Sequence, residues 1–175
     1  MASLVMTFVG DDRPGLVNAM SEAIAAHGGA WLESRSARLA GKFAGVLLVA
    51  IADDKVAPLE ADLAKLLPKG LRVSIDRGAA ADEDHGQPIT LEVVGQERSG
   101  IVRDVTQALT RLGVNIDEFA SSLEGAPFTG ETMFRATARL SAPAGVSAAD
   151  IRSALERLAG EIMVDLTLGE EPAPG

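Results

Sequence analysis

The sequence predicts an α+β fold made of two tandem strand–helix–strand–strand–helix–strand units, each an antiparallel sheet with its helices on one face. Three observations predict it. The chain aligns on itself at an offset of 85 positions, Phe8–Gly29 lying over Val93–Val114 without a gap. Apolar residues recur with strand-like and helix-like spacing in the same order in both halves. A polar, acidic stretch separates the halves.

The repeat rests on identities at fixed spacing. They are Val9/Val94, Gly10/Gly95, Arg13/Arg98, Gly15/Gly100, Val17/Val102, Ala23/Ala108 and Gly28/Gly113. Each half then reads alike. Short β-branched runs, Val5–Val9 and Ile89–Val94, are first strands closed by a glycine. Leu16, Met20, Ala23 and Ile24 fall on one helical face, as do Ile101, Val105, Ala108, Leu109 and Leu112. Gly28 and Gly113 stand where a helix stops. Two strands follow in each half, Trp31–Leu39 with Phe43–Ile51 and Ile116–Leu123 with Glu131–Leu140. The first pair is joined around Ala40–Lys42, the second by a longer loop over Glu124–Gly130. Second helices are expected over Val56–Leu67 and Ala148–Leu158, and last strands over Leu71–Ile75 and Ile162–Leu168. This order is the ferredoxin-like split βαβ arrangement. The expected organisation is a first module at 1–78, a linker at 79–87, a second module at 88–169 and a disordered tail at 170–175.

Composition narrows the function classes. The core must be aliphatic, because apolar residues make up 47% of the chain and aromatics only 3%. Met6, Met20 and Met133 are expected in the core, and the single Trp31 in the core or a seam. A formal net charge of −9 opposes a phosphate backbone, so direct nucleic-acid binding is not expected. The absence of cysteine excludes disulfides and thiolate ligands, and two histidines, His27 and His85, do not make a His-rich metal site. No signal peptide or membrane-spanning run is recognisable, so a cytoplasmic protein without membrane attachment is expected. No P-loop, GxSxG or HExxH motif is present. The expectation is therefore binding without catalysis, and no cofactor.

A strand, then Gly10-Asp11-Asp12-Arg13-Pro14-Gly15-Leu16-Val17, then a helix and a glycine turn, resembles an ACT domain. The second half carries Arg98-Ser99-Gly100-Ile101-Val102 and Gly113-Val114-Asn115-Ile116, with Ser99 where the pattern has proline. Two such units filling the chain resemble the glycine cleavage system transcriptional repressor family. The resemblance implies a regulatory protein that binds an amino acid, with glycine or serine as first candidates. It implies action through a protein partner such as a transcription factor. It also implies a ligand at the interface between modules, touching the loop after one first strand and the start of another second strand. The residues so indicated are Asp11, Asp12, Arg13, Pro14, Gly15 and Leu16, their counterparts Glu97, Arg98, Ser99 and Gly100, and Asn115 with Ile116. Asp12 and Asn115 are the transferred contacts.

Elementary physical chemistry accounts for such a site. Pro14 suits a first helical turn, and Gly15 allows a close approach to the backbone. A helix N-terminus attracts a carboxylate, while Asp11 or Asp12 suits an ammonium group. Asn115 offers both a donor and an acceptor, whereas Ala30 at the matching position offers neither, so the two potential sites should be unequal. Structural roles compete with these. Asp12 or Ser99 would serve as helix caps, Arg13 and Arg98 as partners of nearby acids, and His27 as a helix-dipole partner. A structural module that only assembles is the alternative function. Exposed sheet edges favour a homodimer.

Overall fold

The structure is a computed structural model and describes residues 1–78, 86–125 and 132–158, together with the backbone of 163–167. The chain divides into two compact units, Met1–Ala81 and Asp82–Gly175. Residues 79–85 of the expected linker over 79–87, His85 among them, most of the second hairpin loop (126–131) and the tail 170–175 lie outside the described residues, and Gln87 already belongs to the first strand of the second unit.

Unit 1 contains β1 (Ala2–Asp11), α1 (Leu16–Ala26), β2 (Ala30–Leu39), β3 (Lys42–Ile51), α2 (Val56–Ala64) and β4 (Leu71–Arg77). Unit 2 contains β5 (Gln87–Gln96), α3 (Ile101–Arg111), β6 (Asn115–Gly125), β7 (Thr132–Ala142), α4 (Ala148–Glu156) and β8 (Met163–Thr167). Sheet order is β2-β3-β1-β4 in one and β6-β7-β5-β8 in the other, with every pair antiparallel. This is the α+β, ferredoxin-like arrangement expected, twice over.

Alternation decides which sheet face is buried. Ala2, Leu4, Met6 and Phe8 of β1 pack with Leu47, Val49 and Ile51 of β3 under Leu16, Met20 and Ile24 of α1 and Leu59 and Leu63 of α2. Ile89, Leu91 and Val93 pack with Phe134, Ala136, Ala138 and Leu140 under Ile101, Val105 and Leu109 of α3 and Ile151 and Leu155 of α4. Trp31 packs partly buried against the first core. Met6 and Met20 are buried, but Met133 is only half-buried and stands outside the second core cluster.

The glycine stops behave as expected. Gly28 and Gly113 have φ of 70° and 71°. Gly29 N donates to Ile24 O and Val114 N to Leu109 O, closing both helices with a Schellman turn. Three features differ from expectation. Strands β1 to β7 run longer, since partner strands pair even residues without an apolar pattern, such as Asp11 opposite Lys42 and Gln87 opposite Ala142, while the expected ends of the last strand, Ile162 and Leu168, lie outside the described residues. The second helix of unit 1 ends at Ala64, and Leu67–Lys69 forms a separate 3-10 turn. Pro68 supplies no N–H and disfavours α geometry at Leu67, and Gly70 then turns left-handed at φ 80°. Finally, β2 and β6 each carry an irregularity, between Trp31 and Glu33 and between Ile116 and Glu118, 85 positions apart as the repeat requires.

Candidate functional site

The loop between the first strand and first helix of each unit is built around one glycine. Gly15 has φ 92° and Gly100 has φ 85°. A residue with a Cβ is strained there, so glycine holds the loop in the shape that starts the helix at the next residue. Each glycine is the N-cap of its helix, with no side-chain cap. Asp12 and Ser99 therefore do not cap, and Pro14 lies before the helix rather than in its first turn. The glycine carbonyls accept from Ala19 N at 2.9 Å and Asp104 N at 3.0 Å. First-turn N–H groups have no partner inside a helix, and in α3 the first of them, Ile101 N, donates to Arg98 O at 3.2 Å.

The charged residues of the first loop are already paired. Lys42 donates to Asp11, and Arg38 reaches Asp12 Oδ2 at 3.2 Å. Arg13 donates to the carbonyl of Lys69. The Lys42 ammonium, and more weakly Arg13, hold the Asp11 carboxyl below its ordinary pKa. Leu16 points into the core at 5% exposure, so only its backbone faces the loop. An extra Cβ on Gly15 would meet nothing within 4 Å, so the space beside it is open.

The second loop gathers Glu97, Arg98, Ser99 and Gly100 around a pocket of about 270 Å3, floored by Leu123 and Phe134. Arg98 Nη1 reaches Asp104 Oδ2 at 2.7 Å, and Arg103 Nη2 reaches Asp104 Oδ1 at 2.8 Å. These two guanidiniums, Arg98 foremost, hold the Asp104 carboxyl below its ordinary pKa. Asp104 and Arg103 were not singled out from sequence. Their signal was an acid in the first turn of α3, facing the repeated arginine.

Asn115 and Ile116 are not part of this pocket. The seven residue steps of β7 from Phe134 to Ser141 separate the loop end of the sheet from Asn115, roughly 23 Å along the strand. Asn115 instead lines a larger depression of about 610 Å3 with Gly113, Ser141 and the turn Pro143–Val146. Its Nδ2 donates to Asp117 Oδ1 at 2.7 Å, and the Ser141 hydroxyl donates to Asp117 Oδ2 at 2.6 Å. Ile116 packs against the core. The bulge of β6 is what turns Asp117 toward both partners. Unit 1 has Ala30, Leu32 and Ala50 at the corresponding places, so the polar cluster belongs to unit 2 alone. Asn115 was singled out from sequence as a candidate, but its neighbours Asp117 and Ser141 were not, because a bulge leaves no mark in the hydrophobic pattern.

Other expectations resolve locally. His27 is the C-cap of α1, and its Nε2 lies 2.6 Å from Asp62 Oδ2 on α2. Among the described residues no group of His, Asp or Glu is arranged to hold a metal ion. None of the described helices is long and apolar enough to cross a membrane.

The family model described as "ACT domain" matches residues 2–76. A crystal structure of an unknown protein from Galdieria sulphuraria is similar at 32% identity and TM-score 0.82, covering 94% of this chain and 96% of that one. The structure of a proposed glycine cleavage system transcriptional repressor is similar at TM-score 0.71 and 17% identity, covering 96% and 98%. The latter shares the fold. No curated protein matches the chain.

Proposed function

Because the chain belongs to the ACT domain family, we propose that it is a regulatory protein that binds a small amino acid, glycine or serine first, without turning it over. The observation that carries this reading is the repeated glycine-started helix after the first strand, Gly15 and Gly100, set among charged side chains. The first-turn N–H groups would receive the ligand carboxylate. Asp12 would receive the ammonium in exchange for Arg38, an exposed pair worth little to lose. Glu97 is its counterpart in the second loop, and Asn115 is the proposed amide contact. Asp11, Arg13, Pro14, Ser99 and Ile116 would shape the surroundings.

The fold shared with a proposed glycine cleavage repressor supports a role in glycine or one-carbon metabolism. That role would run through contact with a transcription factor in the cytoplasm, since a chain of net charge −9 suits a protein partner better than DNA. A second reading has its own support. Asp11 and Asp12 are both ion-paired, and unit 1 lacks the polar cluster of unit 2, which suits a module that assembles without ligand. Isothermal titration calorimetry separates the two. Glycine or serine binding that is lost in Asp12→Ala or Asn115→Ala supports the sensor. Absence of heat with both amino acids supports the assembly module.

A further inference from the structure

The helix-free faces of the two sheets are built differently. In unit 1 the central strands present Val5, Thr7 and Val9 beside Ala44, Val46 and Leu48. Val9 is 38% exposed and Val46 39%. The same face of unit 2 is polar and internally paired. Arg135 bonds both Glu92 and Glu124, and Arg139 reaches Glu118 at 3.3 Å. The unit 2 face is thus finished as a solvent face, and the unit 1 face is not.

We propose that the helix-free face of unit 1 is the surface on which two copies of this chain pair, sheet on sheet, about a two-fold axis. Two further observations choose a second copy as the occupant. The first is charge. Arg72 and Asp76 rim the patch on β4, opposite Val9 and Val5 respectively, and neither has an ion-pair partner among the described residues. A two-fold axis crossing the strands at the level of Thr7 lays Arg72 of each copy over Asp76 of the other. On β2 the rim is Glu33 and Arg35, 2.8 Å apart and already neutral as a pair. The second is area. Four strands about 4.8 Å apart and four facing rows give a footprint of roughly 400–500 Å2 per copy. The total approaches the ~1,000 Å2 below which specific interfaces are rare, so the dimer should be reversible. This surface differs from the sheet edges, where β2 and β6 are blunted by their bulges and by Glu33, Arg35, Asp117 and Glu118.

Sedimentation equilibrium of the full chain across the micromolar range tests this. Wild type is expected to show a concentration-dependent species of twice the 18.1 kDa chain mass. Val46→Glu should be monomeric over that range, with an unchanged circular dichroism spectrum. Arg72→Asp should weaken the dimer by at least about tenfold, and Arg72→Asp with Asp76→Arg should restore it. Thr137→Glu, at the place of unit 2 that matches Val46, should change nothing. A wild type that stays monomeric overturns the proposal, as does a dimer indifferent to Val46→Glu. Failure of the charge swap to restore the dimer overturns the two-fold arrangement.

Discussion

Gly45 leaves no space for a side chain. A Cβ there would lie 2.5 Å from Arg35 O and 2.7 Å from Phe8 Cζ, in the middle of β3. Gly45→Ala should therefore destabilise the protein by about 1–3 kcal/mol, read as a lower urea midpoint; an unchanged midpoint would mean that β2 moves aside at no cost. Arg38 tests the proposed ammonium receptor from the other direction. If a ligand ammonium displaces it from Asp12, Arg38→Ala should tighten amino-acid binding by up to about fivefold, since exposed pairs are worth at most about 1 kcal/mol. Weaker binding would place Arg38 on the ligand instead. At this scale the glycines were the most legible residues. Gly15 was expected to permit a close approach, and its positive φ supplies a conformational requirement as well. The pairing of Asp11 with Lys42 and Asp12 with Arg38 was not legible, because 31 and 26 positions separate the partners.

Among the elements, α4 has the most complete start. Ser147 Oγ accepts from Asp150 N at 3.2 Å, and Ser147 N donates to Asp150 Oδ2 at 2.8 Å. Ser147→Ala should cost about 1 kcal/mol, measured by urea unfolding; a loss under a few tenths would mean that tertiary packing alone sets the helix start. The four helices of the α-helical class were readable, because Leu16/Met20/Ile24 and Ile101/Val105/Leu109 follow the helical period. Strand ends were less so, since Ala2 and Asp11 are held by pairing with Ile51 and Lys42 rather than by their own character. The same limit hid the bulge at Asp117. The distance between Asn115 and Ser99 in one unit agrees with a ligand expected to touch the loop of one module and the second strand of another.

For the whole molecule, acid should be the weak side. Asp11, Asp53, Asp62, Asp104 and Asp150 all titrate below the ordinary 3.8 in the folded state. The leading causes are Lys42, the N-terminal ammonium, Lys65, Arg98 and Ser147 respectively. The unfolded chain then binds more protons near that pH. Their stabilisation is complete above about pH 5 and is lost as pH falls through 3.8 toward the folded values. Urea midpoints should be flat from about pH 5 to 7 and decline below about 4, less steeply in Asp104→Asn; because Asp11, Asp53 and Asp150 are exposed, high salt should flatten the decline too. An equal decline in Asp104→Asn would remove that carboxylate from the account. The two-unit architecture itself was legible from the repeat at 85 positions. The different finish of the two helix-free faces was not, because it emerges only when the register sets Val5 beside Leu48 and Val94 beside Arg135.

If the chain senses an amino acid, as proposed, a thermal-shift titration with all twenty amino acids will reveal it. A ligand that binds only the folded state stabilises it by about 2.7 kcal/mol at a hundredfold excess over Kd. The expected result is a selective, saturable rise in Tm with glycine or serine that disappears in Asp12→Ala and Asn115→Ala. No shift with any amino acid at millimolar concentration would contradict the claim and leave assembly as the role of the fold.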